Sequence, residues 1–225
     1  MNDEKRGAKE ELSRMQEGSK KQKRVILTVL VCAVGVMALL LGAVALIVAL
    51  GKNGGDVPQG DYEFYPVYEG DIMENEEYLG LNRHVEYCFD PSGYGLKMSI
   101  TDENREEFDE GVLFLYDYIQ TIIRGDSVAY NKMFNAKYFE DNEQKDAFSQ
   151  QMLHEIKIRF LSESKQGEER LITYRLEYMI HRNDGTFRRD VGSDASRPQD
   201  ITVRVGTDGK ILIERLVTLY SKQQS

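Results

Sequence analysis

Hydrophobic and polar positions fall into four regimes along the 225-residue chain. Residues 1–24 are mostly polar. Val25 to Leu50 is a run of 26 residues without a charge. Residues 51–100 mix acids, glycines and aromatics, and from residue 101 the pattern becomes periodic. Hydrocarbon about 30 Å thick is crossed by about 20 helical residues, so the run is long enough to span with some tilt. A buried core helix of this length with no polar face does not suit so small a chain. The run therefore predicts a transmembrane helix at 25–50. A cleaved signal is the rival reading, with Ala43-Val44-Ala45 at the cleavage position. Five apolar residues follow that tripeptide, and cutting there would leave a greasy new terminus. An uncleaved anchor is the expectation.

Beyond residue 101 the period is first that of a helix. Phe108, Val112, Leu115, Ile119 and Ile122 share one stripe, which predicts a helix from Asp102 to Arg124. Thr101 is its expected N-cap and Gly125 its C-cap. Asp126 is placed to cap a second, short helix carrying Val128, Met133 and Phe134. A third is expected roughly from Asn142 to Met152.

The period then changes to two, as on strands. Ile156, Ile158 and Phe160 alternate, as do Ile172, Tyr174, Leu176, Tyr178 and Ile180, and then Ile201, Val203 and Val205. Gln166-Gly167, Asp184-Gly185 and Asp208-Gly209 are the expected hairpin turns, and Lys210 to Tyr220 closes the sheet. Earlier in the chain, Val85, Tyr87 and Phe89 alternate inward. A turn at 90–93 follows, and Tyr94 to Ile100 is a returning strand. Helices first and a long meander afterwards predict an α+β class. Its form is an N-terminal transmembrane helix followed by helices packed on one concave face of a curved antiparallel sheet.

Charge sharpens the division. Residues 1–24 hold eight bases against five acids, residues 51–111 four bases against 16 acids, and residues 112–225 seventeen of each, which sums to the formal −9. The four parts are a basic cytoplasmic tail (1–24), a transmembrane helix (25–50), an acidic, aromatic stalk with an edge hairpin (51–100) and a folded domain (101–225). Lys20, Lys21, Lys23 and Arg24 abut one end of the apolar run, and only Lys52 lies near the other. Positive flanks stay cytoplasmic, so the domain is expected outside. The acidic balance excludes a nucleic-acid partner. The stalk's Tyr62, Phe64, Tyr65, Tyr68 and Tyr78 imply that it lies on something, either its own domain or a partner.

Cys32 is within the apolar run and Cys88 is alone after it, so no disulfide closes within the domain. No Asn-x-Ser/Thr acceptor occurs from 51 to 225. Both fit a bacterial envelope protein better than a eukaryotic surface protein. His84, Glu86 and Cys88 share a face but do not converge as zinc ligands must. The outward residues Lys157, Arg159, Arg175, Glu177 and Arg204 read as a solvated sheet face.

Ile122-Ile123-Arg124-Gly125-Asp126 with Tyr130, Phe134, Tyr138 and Phe139, followed by the long strands, resembles the nuclear-transport-factor-two-like superfamily over about 108–220. That resemblance implies a cone with a pocket between sheet and helices, lined in part by Tyr174 and Tyr178. It also brings in isomerases and dehydratases, whose chemistry needs an acid, histidine or tyrosine in the cone. No carboxylate falls on the inward parity of the first three long strands. The expectation is a non-catalytic binding or assembly module of the envelope, with no cofactor and no metal. In architecture it is similar to the bitopic component of secretion and conjugation machines. Its expected partners are the lipid bilayer, envelope proteins and a second copy. The alternatives are a sensor or carrier of a small apolar ligand, and an isomerase- or dehydratase-like enzyme.

Gly35, Ala38, Gly42, Ala45 and Ala49 are spaced 3, 4, 3 and 4 residues apart and form one small-residue stripe. In lipid such residues let helix backbones approach and gain dispersion contacts. Replacing Gly42 by Ile is expected to weaken self-association of residues 20–55. Leu40→Ile, about 160° round the helix at 3.6 residues per turn, is expected to leave it unchanged. An energy-transfer assay in membranes reads the difference, and equal signals from both variants and the parent would reduce the stripe to composition.

Overall fold

A computed structural model of the chain describes residues 62–220. The apolar run at 25–50, with Gly35, Ala38, Gly42, Ala45 and Ala49, lies outside the described residues. Among the described residues no helix is long and apolar enough to cross a membrane. The class is α+β.

Six strands form one sheet: β1 (Val85–Cys88), β2 (Lys97–Ser99), β3 (Met152–Gln166), β4 (Glu169–His181), β5 (Gln199–Val205) and β6 (Ile211–Thr218). Their order is β2-β1-β3-β4-β5-β6. The sheet is mixed rather than purely antiparallel, because β1 runs parallel to β3, with Val85 opposite Ile156 and Cys88 opposite Arg159. Parallel neighbours need a long crossover. Here it contains β2 and every helix after residue 100. The sheet thus draws residues assigned above to a stalk into its interior, and β1 is not an edge. The preceding segment packs as well, with Ile72 and Tyr78 fully buried and the Tyr78 hydroxyl donating to Leu153 O at 3.1 Å.

Among the described residues there are four α-helices, short except one: α1 (Glu76–Leu79), α2 (Glu110–Ile123), α3 (Ser127–Lys132) and α4 (Tyr138–Asp141). The expected stripe of α2 is observed, with Val112, Leu115, Ile119 and Ile122 all fully buried. Its start is not at Thr101. Asn104 accepts from Thr101 N at 2.8 Å and folds 101–104 into a turn. The N-cap is Asp109, whose side chain accepts from Gly111 and Val112 N. At the other end Gly125 takes a φ of +67°, and Asp126 caps α3 by accepting from Ala129 N at 2.8 Å. No helix forms from 142 to 152. That stretch has no regular structure; Phe148 within it packs against Phe187 and Tyr130, and Met152 opens β3.

The inward set of the strands is Ile156, Ile158, Ile172, Tyr174, Leu176, Tyr178, Ile180, Ile201, Val203 and Ile213, packed in one core with α2. Phe89, expected to face inward, is not buried: it lies beyond β1, exposed, and stacks on Phe160 at 5.2 Å. The turn at Asp208-Gly209 closes the β5–β6 hairpin as expected. Asp184-Gly185 does not close one. Residues 182–198 instead form an ordered loop, held by Asn183. Its buried amide donates to Arg188 O at 3.0 Å and Val191 O at 2.8 Å, and its Oδ1 accepts from Gly185 N at 3.0 Å.

Arg188 is the charged centre of that loop. It is 5% exposed and grips Asp190 with two bonds, Nε–Oδ1 at 2.9 Å and Nη2–Oδ2 at 2.6 Å. Burial alone would raise the Asp190 carboxyl, but the hydrogen bonds and charge of Arg188 outweigh it and hold the group below its usual range. A native pKa below the unfolded one means that the unfolded chain takes up the proton first. The stabilisation is complete above the unfolded carboxylate range and is lost as pH falls through the native value, so below about pH 4. Asp190→Asn leaves Arg188 buried and charged, and is expected to cost about 3–5 kcal/mol at pH 7. Urea melts at pH 7 and pH 3 check both points: the parent should lose more stability than the variant between the two.

Candidate functional site

The two tyrosines expected to line a pocket are packed solid. Tyr174 is completely buried, and its hydroxyl donates to Asp109 Oδ1 at 2.9 Å. Burial raises its pKa, and the Asp109 carboxylate raises it further, so the group stays a proton donor. A Cβ on Gly111 would lie 2.5 Å from that hydroxyl. Only glycine therefore admits the helix start this close to the strand. Tyr178 donates to Gln199 Oε1 at 3.3 Å, and Arg188 Nη1 reaches its oxygen at 3.4 Å. Tyr118, Tyr130, Phe134, Phe148 and Phe187 form a connected aromatic cluster. The Tyr118 hydroxyl donates to that of Tyr130 at 3.2 Å. Tyr138 and Phe139 extend the cluster through Phe134.

The space with exposed polar chemistry lies on the opposite side of the sheet. A cavity of about 200 Å³ is lined there by Glu86, Cys88, Lys97, Lys157, Arg159, Arg175 and Glu177. Strand register explains why these residues meet. One row across the sheet reads Lys97, Cys88, Arg159, Arg175, Asp200, and the next reads Ser99, Glu86, Lys157, Glu177. The loop at 89–96 folds over the row. Arg159 Nη1 donates to Ser92 O at 3.3 Å, and a Cβ on Gly93 would lie 2.5 Å from the same nitrogen. Cys88 is a buried free thiol, donating to Asp90 O at 3.6 Å.

A third polar group gathers where β3 begins and β4 ends. Asp194 Oδ1 takes His154 Nε2 at 2.8 Å and His181 Nδ1 at 3.3 Å, and Glu77 stands 3.6 Å from His181 Nε2. Non-glycine residues with positive φ cluster here: Glu155 at +51°, Arg182 at +52° and Asp194 at +53°. Glu155 marks a bulge, since the β3–β4 register shifts between His154 and Lys157. Among the described residues no group of three or more His, Cys, Asp or Glu side chains is arranged to hold a metal ion.

Sequence periodicity picks out Lys157, Arg159, Arg175, Glu177 and Arg204 as outward residues, but not Asp109, Asn183, Arg188 or Asp190. The available signal was the length of 182–198. A stretch of that length without periodicity, carrying its own charges, is uncommon unless it is ordered for a purpose. Comparison of the chain with known protein families, with curated proteins and with solved structures finds no match.

Asp109 serves the cap of α2 and Tyr174 with one oxygen. Asp109→Ala is expected to cost about 2 kcal/mol, from a lost cap and an orphaned buried hydroxyl. Tyr174→Phe removes that orphan, so the double variant should lose less than the sum of the singles, by about 1 kcal/mol. Urea denaturation of the four proteins reads the coupling, and strict additivity would mean that the two side chains act independently.

Proposed function

We propose that the chain is a bitopic membrane protein whose folded domain acts outside the cytoplasm as a non-catalytic binding or assembly module of the cell envelope. The observation that carries this reading is the uncharged run Val25–Leu50 with Lys20, Lys21, Lys23 and Arg24 at one end. Few environments other than a bilayer accept 26 such residues as a helix. The basic flank orients it by the positive-inside rule.

Two features of the domain favour binding over catalysis. Tyr174 and Tyr178 are buried between sheet and helices, and their hydroxyls already have partners. The carboxylate that meets Tyr174, Asp109, also accepts the amides of Gly111 and Val112 and so is committed to the cap of α2. The element order, helices before a long meander, is the basis of the resemblance to nuclear-transport-factor-two-like domains. A fold likeness of that kind speaks to architecture, and function belongs to the site. In this reading the domain meets envelope partners through its surface. The small-residue stripe of the span supports a second copy alongside.

External protease applied to intact spheroplasts is expected to degrade residues 51–225 and leave a small membrane-held fragment. A protected C-terminal domain would overturn the orientation, and recovery of the whole chain in the soluble fraction would overturn the anchor.

A further inference from the structure

The polar face of the sheet is not uniformly neutralised. Toward β5 and β6 two guanidiniums are held by carboxylates, while Arg215 stands exposed. Arg175 holds Asp200 with bonds of 2.7 and 3.0 Å, and Arg204 holds Glu214 with bonds of 3.0 and 2.8 Å and also reaches Glu169. Such pairs are what a solvated sheet face needs. Around the cavity over β1 and β3 the pattern breaks. Glu86 lies directly opposite Lys157 in register, yet among the described residues neither Glu86 nor Lys97 has an ion pair within 4 Å. Lys157 comes no nearer to a carboxylate than 3.8 Å, at Glu155. Arg159 has Glu177 at 3.5 Å, and its Nε is buried with no partner. The loop at 89–96 partly encloses these unsaturated groups, where charge interactions are stronger than on an open surface.

From this contrast we infer that the cavity is a binding site for a small zwitterion bearing one carboxylate and one ammonium group, the chemistry of a free amino acid or the end-to-end chemistry of a very short peptide. Arg159 and Lys97 take the carboxylate, where a guanidinium N–H offers a directed, charge-assisted bond. Glu86 takes the ammonium. The lining carries four cations and two carboxylates, which disfavours a simple ammonium ion and makes phosphate the competitor that the test must exclude. The volume of about 200 Å³ is below the roughly 300–1,000 Å³ of pockets for drug-sized ligands and far above the space of one water, so the occupant has few heavy atoms. The site is on the other side of the sheet from the aromatic core, and it stands whichever way the chain sits in a membrane.

The test uses the full chain in detergent micelles, with L-alanine, L-alanyl-L-alanine, acetate, methylammonium and inorganic phosphate as probes, and titration calorimetry or ligand-observed NMR as readout. L-alanine or the dipeptide is expected to saturate at millimolar concentration, and the tighter of the two names the source. Acetate and methylammonium should each bind at least about tenfold more weakly, as loss of one charged hydrogen bond implies. Glu86→Gln should weaken L-alanine about tenfold and leave acetate unchanged, while Lys97→Met should weaken both. Both residues are on or next to a short edge strand, and unchanged urea melts would confirm that the variants fold. Absence of saturation by either zwitterion at 20-fold excess over about 1 mM, phosphate binding more tightly than either, or L-alanine binding insensitive to Glu86→Gln would each overturn the assignment.

Discussion

One carboxylate oxygen joins the two layers of this domain. Asp109 Oδ1 accepts the free amides of Gly111 and Val112 at the start of α2 and the hydroxyl of Tyr174 from the middle of the sheet. The first amides of a helix have no partner within it and carry the positive end of its dipole, so an acid there is favoured twice. Tyr174 adds a third donor, from β4, the strand that pairs with both β3 and β5. The contact fixes where along the sheet the helix begins. It also requires the glycine at 111, since any side chain there would displace the hydroxyl. With the start set, the stripe Val112, Leu115, Ile119 and Ile122 falls over Ile158, Ile172, Leu176 and Ile201 in one core.

The sheet solves its edge problem differently at its two ends. At β6, residues 133–135 come alongside: Ile213 N donates to Met133 O at 2.8 Å and Asn135 N to Ile213 O at 2.9 Å. This short parallel bridge occupies backbone groups that would otherwise template another chain. It also anchors Phe134, the hub of the aromatic cluster, to the far strand. At the other end β2 is three residues long and carries Lys97. A brief, charged edge offers little to pair with. Inserting β1 between β2 and β3 places this blunt strand outermost. The longest pairing, β3 with β4, stays interior.

Legibility in the sequence followed the range of each interaction. The α2 stripe, the alternation of β3 to β5, Gly125 at the end of α2 and the Asp126 N-cap depend on neighbours a few residues away, and all could be read. The N-cap at Asp109 could not. Thr101 has equal local credentials, and only the approach of Tyr174, 65 residues later, selects Asp109. The parallel pairing of β1 with β3 escaped for the same reason: period two says that a strand is half buried, not which strand it pairs with. Asp184-Gly185 has the composition of a hairpin turn, but Asn183 just before it spends its amide on carbonyls five and eight residues ahead and closes a wider loop. The charge rows around the cavity were visible only as outward residues. Their meeting with Glu86 and Lys97 is a product of register across three strand pairs.

The loop at 182–198 shows why a buried charge is tolerated where apolar packing would also serve. Arg188 satisfies its donors with Asp190, the Tyr178 hydroxyl and the carbonyl of Arg197. Replacing such a pair by well-fitting apolar residues is often neutral or stabilising, so stability alone does not account for it. Direction does. A guanidinium with a carboxylate on one edge and a carbonyl and a hydroxyl on the other fits in one orientation, whereas a leucine packs in several. Phe187 beside it enters the aromatic cluster through Phe148 and Tyr130, and Asn183 on the same loop accepts the Tyr65 amide at 2.9 Å through its own carbonyl. One ion pair thus orients a loop that contacts the helices on one side and the N-terminal aromatic segment on the other. Tyr62 and Tyr65 become part of the fold through that loop, and Tyr78 through Leu153 O.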